Sequence, residues 1–526
     1  MVRGPHLAPG PEFGQDNSRI TTIDVTTLRL LQIGAESGRS VNNKIAHWFM
    51  YAVIQRDSAA LSPPSTRLTM EDLPQLPPEV WVYILSFLST EEKHTVRFGC
   101  RQLKVLIDQP PLWRNHTVML CDLRRYTYGF WDMLRHRKLT RVAVRHLRRK
   151  EWRRLVKFLP TLSAVVFVDG GRKYKGKYME NVAHFPGLKD IGVRNGTWEE
   201  PMLGSSLTSK LQERLTHLSV CNVRLPCCAH FIQAVSHLVN LQYLLFHQQG
   251  EGYGLDTVRP VPCEVFHNLL LSLKKLKHLS WGMRGEPPAP LPDNYLSPSD
   301  PESPGVPSYG GPALTSLELV DYPECILPEN ALQSFSSLRS LTVRYRYIRE
   351  GIECRLASWL KPLQQLETLC IVGGNSLAAY TTTIPSSVSR LTLRVAITLK
   401  DMDSIAPKVP ALEHLDIEQN RSSGSLCRRI PMLFPQLKTL RIRFFRREPE
   451  KDLLSLHRLR HLVRLELLVE RSFILRDYLN GHPWPSPCVQ EHINQLRELS
   501  ENRITVITTM RRRNPLRECD CVWEGD

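Results

Sequence analysis

The sequence predicts an α/β chain in two parts: a short trihelical unit near the N-terminus, then a curved solenoid whose parallel strands line a concave face. Three observations predict it. From Leu76 to Arg114 runs an apolar helical stretch with proline near both ends. Beyond Trp113 an apolar triplet recurs through most of the remaining chain. The 526 residues, 42% of them hydrophobic, exceed one ordinary domain but suit a repeat array.

The helical stretch reads LPPEVWVYILSFLSTEEKHTVRFGCRQLKVLIDQPPLWR. Pro77 and Pro78 fit the first turn of a helix, where a missing N–H costs nothing, and Glu79 complements the positive end of its dipole. Val80, Trp81, Val82, Ile84, Leu85, Phe87 and Leu88 then cover roughly two-thirds of the circumference at ~100° per residue. Glu79, Tyr83 and Ser86 are left as a narrow polar strip. A surface helix buries a stripe of a little over ~100°, so the apolar surplus asks for a partner. Ser89 and Glu92 form a capping box for a second helix, and Asp108-Gln109-Pro110-Pro111 stops a third. About forty residues are too few to fold securely alone.

In order, LPPEV, ILSFL, VRFGCRQLKVL and PPLWR resemble the F-box. The resemblance implies docking on a Skp-type adaptor and, through it, on the cullin and RING subunits of an SCF-type ubiquitin ligase. It also implies an adaptor-facing set made of Leu76, Pro77, Val80, Ile84, Leu85 and Leu88, closed by Leu106, Pro110, Leu112 and Trp113. Two positions depart from the family pattern: Gly99 precedes Cys100 where a larger apolar residue is usual, and Gln102-Leu103 replaces the usual aromatic.

The triplet places apolar residues at relative positions one, four and six, as in Leu139-Val142-Val144, Leu215-Leu218-Val220 and Leu437-Leu440-Ile442. Thirteen such units run from Leu139 to Leu467, mostly 22 to 28 residues apart, which is a leucine-rich-repeat period. Each triplet predicts a strand with alternate positions buried, and the intervening residues a helical or irregular return. His116 to Leu120 begins the array, while Val489 to Glu501 and Ile504 to Ile507 predict a terminal helix and strand. The interval from Leu279 to Leu317 is 38 residues and holds nine prolines between Pro287 and Pro312, so that segment is expected to loop out of the solenoid. The predicted domains are an extension, partly disordered, over 1–70; the F-box over 71–115; the solenoid over 116–475 with the Pro-rich insertion 287–312; and a cap and polar tail over 476–526.

Sixty-nine basic residues against 52 acidic ones give a net charge of +17, and Arg124 to Lys177 alone holds 17 basic and 3 acidic residues. On the predicted strands, the positions between the buried residues face the concave side. They include Arg344, Arg390, Arg394, Arg441, Arg443 and Arg464, opposed by Glu318, Asp416, Glu418 and Glu466, with His217, Tyr243, His247, His278 and His414 nearby. These six arginines are the expected substrate-binding residues. Guanidinium forks suit a target protein that is acidic or phosphorylated; nucleic acid on the basic first repeats is the alternative.

No catalytic pattern survives scrutiny. Gly171 to Lys177 has the spacing of a phosphate-binding loop, but Tyr178 stands where a Ser or Thr must ligate magnesium. Cys519-Asp520-Cys521 and Cys227-Cys228 lack a second pair at zinc-site spacing. No cofactor, metal or chemistry of its own is expected of the chain. Thirteen scattered cysteines fit reduced thiols, and no apolar run approaches the ~20 residues of a membrane helix, so the expected setting is intracellular, cytoplasmic or nuclear, with no membrane contact.

Overall fold

A computed structural model describes residues 77–508 except 89–92, 95, 98–100, 115, 146–151, 169–181, 183, 198–209, 226, 249–260, 284–290, 300–308, 322, 324–326, 346–352, 420–425, 445–450 and 470–484. The N-terminal extension, Leu76, the Ser89–Glu92 capping box, the 171–177 loop and the polar tail lie outside the described residues. Contacts divide the rest into two compact units. One holds 77–116 and 126–140, the other 117–125 and 141–508.

In the first unit, α1 (Pro78–Ser86) starts on proline with Glu79 in its first turn, and α2 (Arg101–Ile107) ends before a 3₁₀ turn at Pro110–Leu112. A helix that the apolar periodicity does not mark, α3 (Tyr128–His136), joins this unit, capped by the Thr127 hydroxyl accepting from the Phe130 amide. Trp81, Leu85, Leu88, Leu106, Leu112, Trp113, Trp131 and Leu134 are buried in it.

Among the described residues, the second unit is one sheet of fifteen strands in sequence order, every pairing parallel. The strands are β1 (Val118–Cys121), β2 (Arg141–Arg145), β3 (Ala164–Val168), β4 (Asp190–Thr197), β5 (His217–Arg224), β6 (Tyr243–Gln248), β7 (His278–Met283) and β8 (Ser316–Asp321). They continue with β9 (Ser340–Tyr345), β10 (Thr368–Val372), β11 (Arg390–Arg394), β12 (His414–Gln419), β13 (Thr439–Phe444), β14 (Arg464–Val469) and β15 (Thr505–Ile507). Parallel neighbours need a return, and helices or 3₁₀ turns supply many of them. The helices are α4 (Trp152–Phe158), α5 (Cys228–Ser236), α6 (Cys263–Ser272), α7 (Leu356–Leu360), α8 (Leu399–Ile405), α9 (Leu426–Leu433) and α10 (Pro487–Leu499).

The central residue of every predicted triplet lies in one lateral row: Val142, Val165, Ile191, Leu218, Leu244, Leu279, Leu317, Leu341, Leu369, Leu391, Leu415, Leu440 and Leu465. None of these is more than 2% exposed. The second unit is therefore a leucine-rich-repeat solenoid, each repeat burying its apolar row against the next.

The Pro-rich insertion departs from expectation in its described parts, 291–299 and 309–312. Tyr295 and Leu296 are each 1% exposed. The Tyr295 ring stacks on Phe266 at 4.9 Å and its hydroxyl donates to the Val261 carbonyl at 3.2 Å. Tyr309 packs edge-on against Phe335 at 5.3 Å, and Ser299 pairs with Tyr309 in an antiparallel bridge. These aromatics supply the apolar area that composition alone does not reveal, and they hold the described parts against α6 and the next repeat.

Candidate functional site

Two surfaces carry the residues singled out in the sequence, one in each unit. On the first unit, the predicted adaptor-facing set divides. Leu85, Leu88, Leu106, Leu112 and Trp113 are 1–6% exposed and build the unit's interior. Pro77 is exposed, and Val80, Ile84 and Pro110 are half-buried. Tyr83, assigned to the polar strip, is 55% exposed and meets Phe87, itself 41% exposed, edge-on at 5.0 Å. Their spacing of four residues along α1 puts them on one face, a signal available in the sequence. The outward apolar face is thus Pro77, Val80, Tyr83, Ile84 and Phe87 rather than the whole predicted set.

An ionic clamp ties this unit together. Asp108, just past α2, accepts from Arg97 Nε at 2.9 Å and from Arg137 Nη2 at 2.5 Å. Burial would raise Asp108, but hydrogen bonds from Arg97 and Arg137 outweigh it and hold the carboxyl below its ordinary value. Arg137 lies over the Trp113 ring at 3.8 Å, a cation–π contact. The Trp113 indole N–H donates to the Ile107 carbonyl at 2.5 Å. Lys93, 1% exposed, donates to His116 Nε2 at 2.9 Å, and burial together with the Lys93 charge keeps His116 below its ordinary pKa.

On the second unit, the strand positions between the buried rows divide along the sheet. In β2 and β3, Ala143, Ala164, Val166 and Val168 form a buried apolar cluster. Ser219, Leu245, His247 and Ser280 are 0–1% exposed, so this stretch does not offer the polar contacts expected of His247. His247 Nε2 pairs with Ser280 Oγ at 2.8 Å, Ser280 donates to Glu318 Oε2 at 2.6 Å, and Glu318 meets Arg344 Nε at 2.7 Å. Burial pushes Glu318 up, but Arg344, His247 and the serine hydrogen bond more than reverse it, and the carboxyl lies below its ordinary range. His217, Tyr243 and His278 stack in a half-buried row, with ring centroids 5.7 and 4.2 Å apart.

From β11 to β14 the same face is a ladder of ion pairs. Arg394 meets Asp416 at 3.5 Å, Arg441 meets Asp416 at 3.1 Å and Glu466 at 2.7 Å, and Arg464 meets Glu466 at 2.6 Å. Arg443 lies beside Glu418 in the register, and Arg390 is exposed at the edge of β11. Burial would raise Glu466, but Arg441 and Arg464 hold it below its ordinary value. The ladder can present guanidinium groups already fixed in place. Of the described basic residues of the first repeats, Arg124, Arg125, Arg145, Arg153, Arg154 and Lys157 are exposed and Arg141 is half-buried, with Asp122 paired to the first two. Among the described residues no group of three or more His, Cys, Asp or Glu could hold a metal ion, and no helix is long and apolar enough to cross a membrane.

Residues 73–119 match the F-box-like family. No curated protein matches the chain. Among solved structures, the leucine-rich repeat-containing protein LegL7 from Legionella pneumophila is 17% identical with a TM-score of 0.35, covering 57% of this chain and 95% of its own. The Toll–Spätzle complex of Drosophila is 14% identical with a TM-score of 0.31, covering 75% of this chain and 54% of its own. At these values neither likeness adds to what the strand register shows.

Proposed function

We propose that this F-box and leucine-rich-repeat chain is the substrate-recognition subunit of an SCF-type ubiquitin ligase. Its F-box-like region docks a Skp-type adaptor, and through it cullin and RING subunits, while the solenoid holds a target protein. The observation that carries the first half is the outward apolar face of α1, where Tyr83 and Phe87 are exposed beside half-buried Val80 and Ile84 while Trp81, Leu85 and Leu88 are buried. Clustered aromatic and aliphatic side chains of this kind are what a protein partner desolvates. The chain itself does no chemistry in this reading. It raises the effective concentration of a target lysine near the ubiquitin-loaded enzyme.

Hydrogen exchange of the full chain with and without purified Skp-type adaptor tests the docking half. Protection confined to 77–88 and 101–114 is expected. Unchanged exchange there at saturating adaptor contradicts it.

A second reading rests on the exposed arginines of the first repeats: a binding module engaging nucleic acid independently of a ligase. It predicts an affinity that falls linearly with salt on logarithmic axes, whereas adaptor docking through apolar side chains is only weakly salt-dependent.

A further inference from the structure

We propose that the strand face of β11–β14 binds an extended acidic segment of the target protein, in which two carboxylate side chains four residues apart are held by Arg390 and Arg464. This deepens, and rests on, the reading of the solenoid as the target-binding part.

The first observation is the layering of the ladder. The carboxylates lie deep: the side chains of Asp416 and Glu466 are 11% and 6% exposed. The guanidinium groups lie over them, with the side chains of Arg441 and Arg464 at 32% and 48%. A partner therefore meets arginine first. The buried acids fix these side chains, so less rotamer entropy is lost when a ligand carboxylate arrives.

The second is charge. Across the outward positions of β11 to β14, Arg390, Arg394, Arg441, Arg443 and Arg464 face Asp416, Glu418 and Glu466. Two positive charges remain uncompensated. Arg394, Arg441 and Arg464 share only Asp416 and Glu466, and Arg443 has Glu418 beside it, so one surplus charge lies on exposed Arg390 and the other on that trio, whose most exposed member is Arg464.

The third is distance. Arg390, His414, Thr439 and Arg464 occupy one lateral row of the register. Three strand steps of ~4.8 Å put the end positions about 14 Å apart. A single phosphoryl group cannot span that separation. An extended chain advances ~3.4 Å per residue with alternate side chains on one face, so residues four apart match both the spacing and the side. His414 and Thr439, both half-buried, line the track between.

The experiment is selection from a displayed library of random peptides about a dozen residues long on the full chain, followed by affinity measurement of selected peptides. The expected result is a shared pair of Asp or Glu separated by three residues. Moving one acid by a single position, Arg390→Ala and Arg464→Ala should each weaken binding about tenfold; the shifted peptide needs no protein variant and so is free of folding effects. Selected peptides without that spacing overturn the proposal. So does tighter binding of a singly phosphorylated peptide or a single-stranded oligonucleotide at the same site. Adaptor binding is measured separately: its presence with failed peptide selection removes this inference alone, and the reverse pattern removes the ligase reading alone.

Discussion

Asp108 holds two guanidinium groups at once, and one of them, Arg137, is 2% exposed over Trp113. Removing the carboxylate leaves a buried cation without its partner, which costs far more than the pair itself contributes. Asp108→Asn is expected to destabilise the F-box-like unit by about 3 kcal/mol, seen as an earlier midpoint in denaturant followed by tryptophan fluorescence. An unchanged midpoint would contradict the clamp. His116 makes the same region sensitive to acid. Its folded pKa lies below 6.5, so the folded state favours the neutral ring and the unfolded chain binds the proton first. The stabilisation is complete above pH 6.5 and is lost as pH falls from there toward the folded value. The melting temperature of wild type should therefore drop between pH 7 and the acid side of that window, and His116→Gln should flatten part of the drop. Neither interaction was legible in the sequence, because Asp108 reads as a helix stop and its partners lie 11 and 29 residues away.

At the scale of elements, the strands were legible because a repeat imposes the same burial on the same position every time. Leu440, for example, sits between Leu415 and Leu465 in the register, and all three were marked by the triplet alone. The helix Tyr128–His136 was not, since it falls between two strands of the array yet joins the other unit. The packing of the described parts of the Pro-rich insertion, 291–299 and 309–312, is hidden for a different reason. Composition averages over a segment, whereas packing depends on single side chains, here Tyr295 and Tyr309. Burial pushes both phenols above their ordinary value. Tyr295→Ala should cost about 3 kcal/mol, the loss typical of a buried aromatic truncation. A detached loop would show almost no change, so thermal unfolding of this one variant separates the two descriptions. In the same way, the predicted substrate arginines were correctly placed on strands, but their depth relative to Asp416 and Glu466 depends on side-chain packing that no sequence pattern encodes.

For the molecule as a whole, the two surfaces differ in chemistry and should respond to different conditions. The α1 face is aromatic and aliphatic, while the β11–β14 face is ionic. Raising salt shortens the screening length from ~10 Å at 0.1 M to ~3 Å at 1 M. Target binding through the ladder should weaken accordingly, and adaptor binding should persist. The measurement that bears most directly on the proposed function is the affinity of the full chain for purified Skp-type adaptor, by calorimetry, for wild type and for the Ile84→Asp, Phe87→Asp double variant. Both substitutions sit on the outward face and leave Leu85 and Leu88 in the interior, so the double variant should still fold, with a cooperative circular dichroism melt shifted only modestly by half-buried Ile84. Burying a carboxylate in an apolar contact costs more than the roughly 2–7 kcal/mol of an unpaired neutral polar group. Wild-type binding that the folded double variant loses is the predicted result. Equal binding by both, or none by wild type, would contradict the claim that α1 is the docking surface.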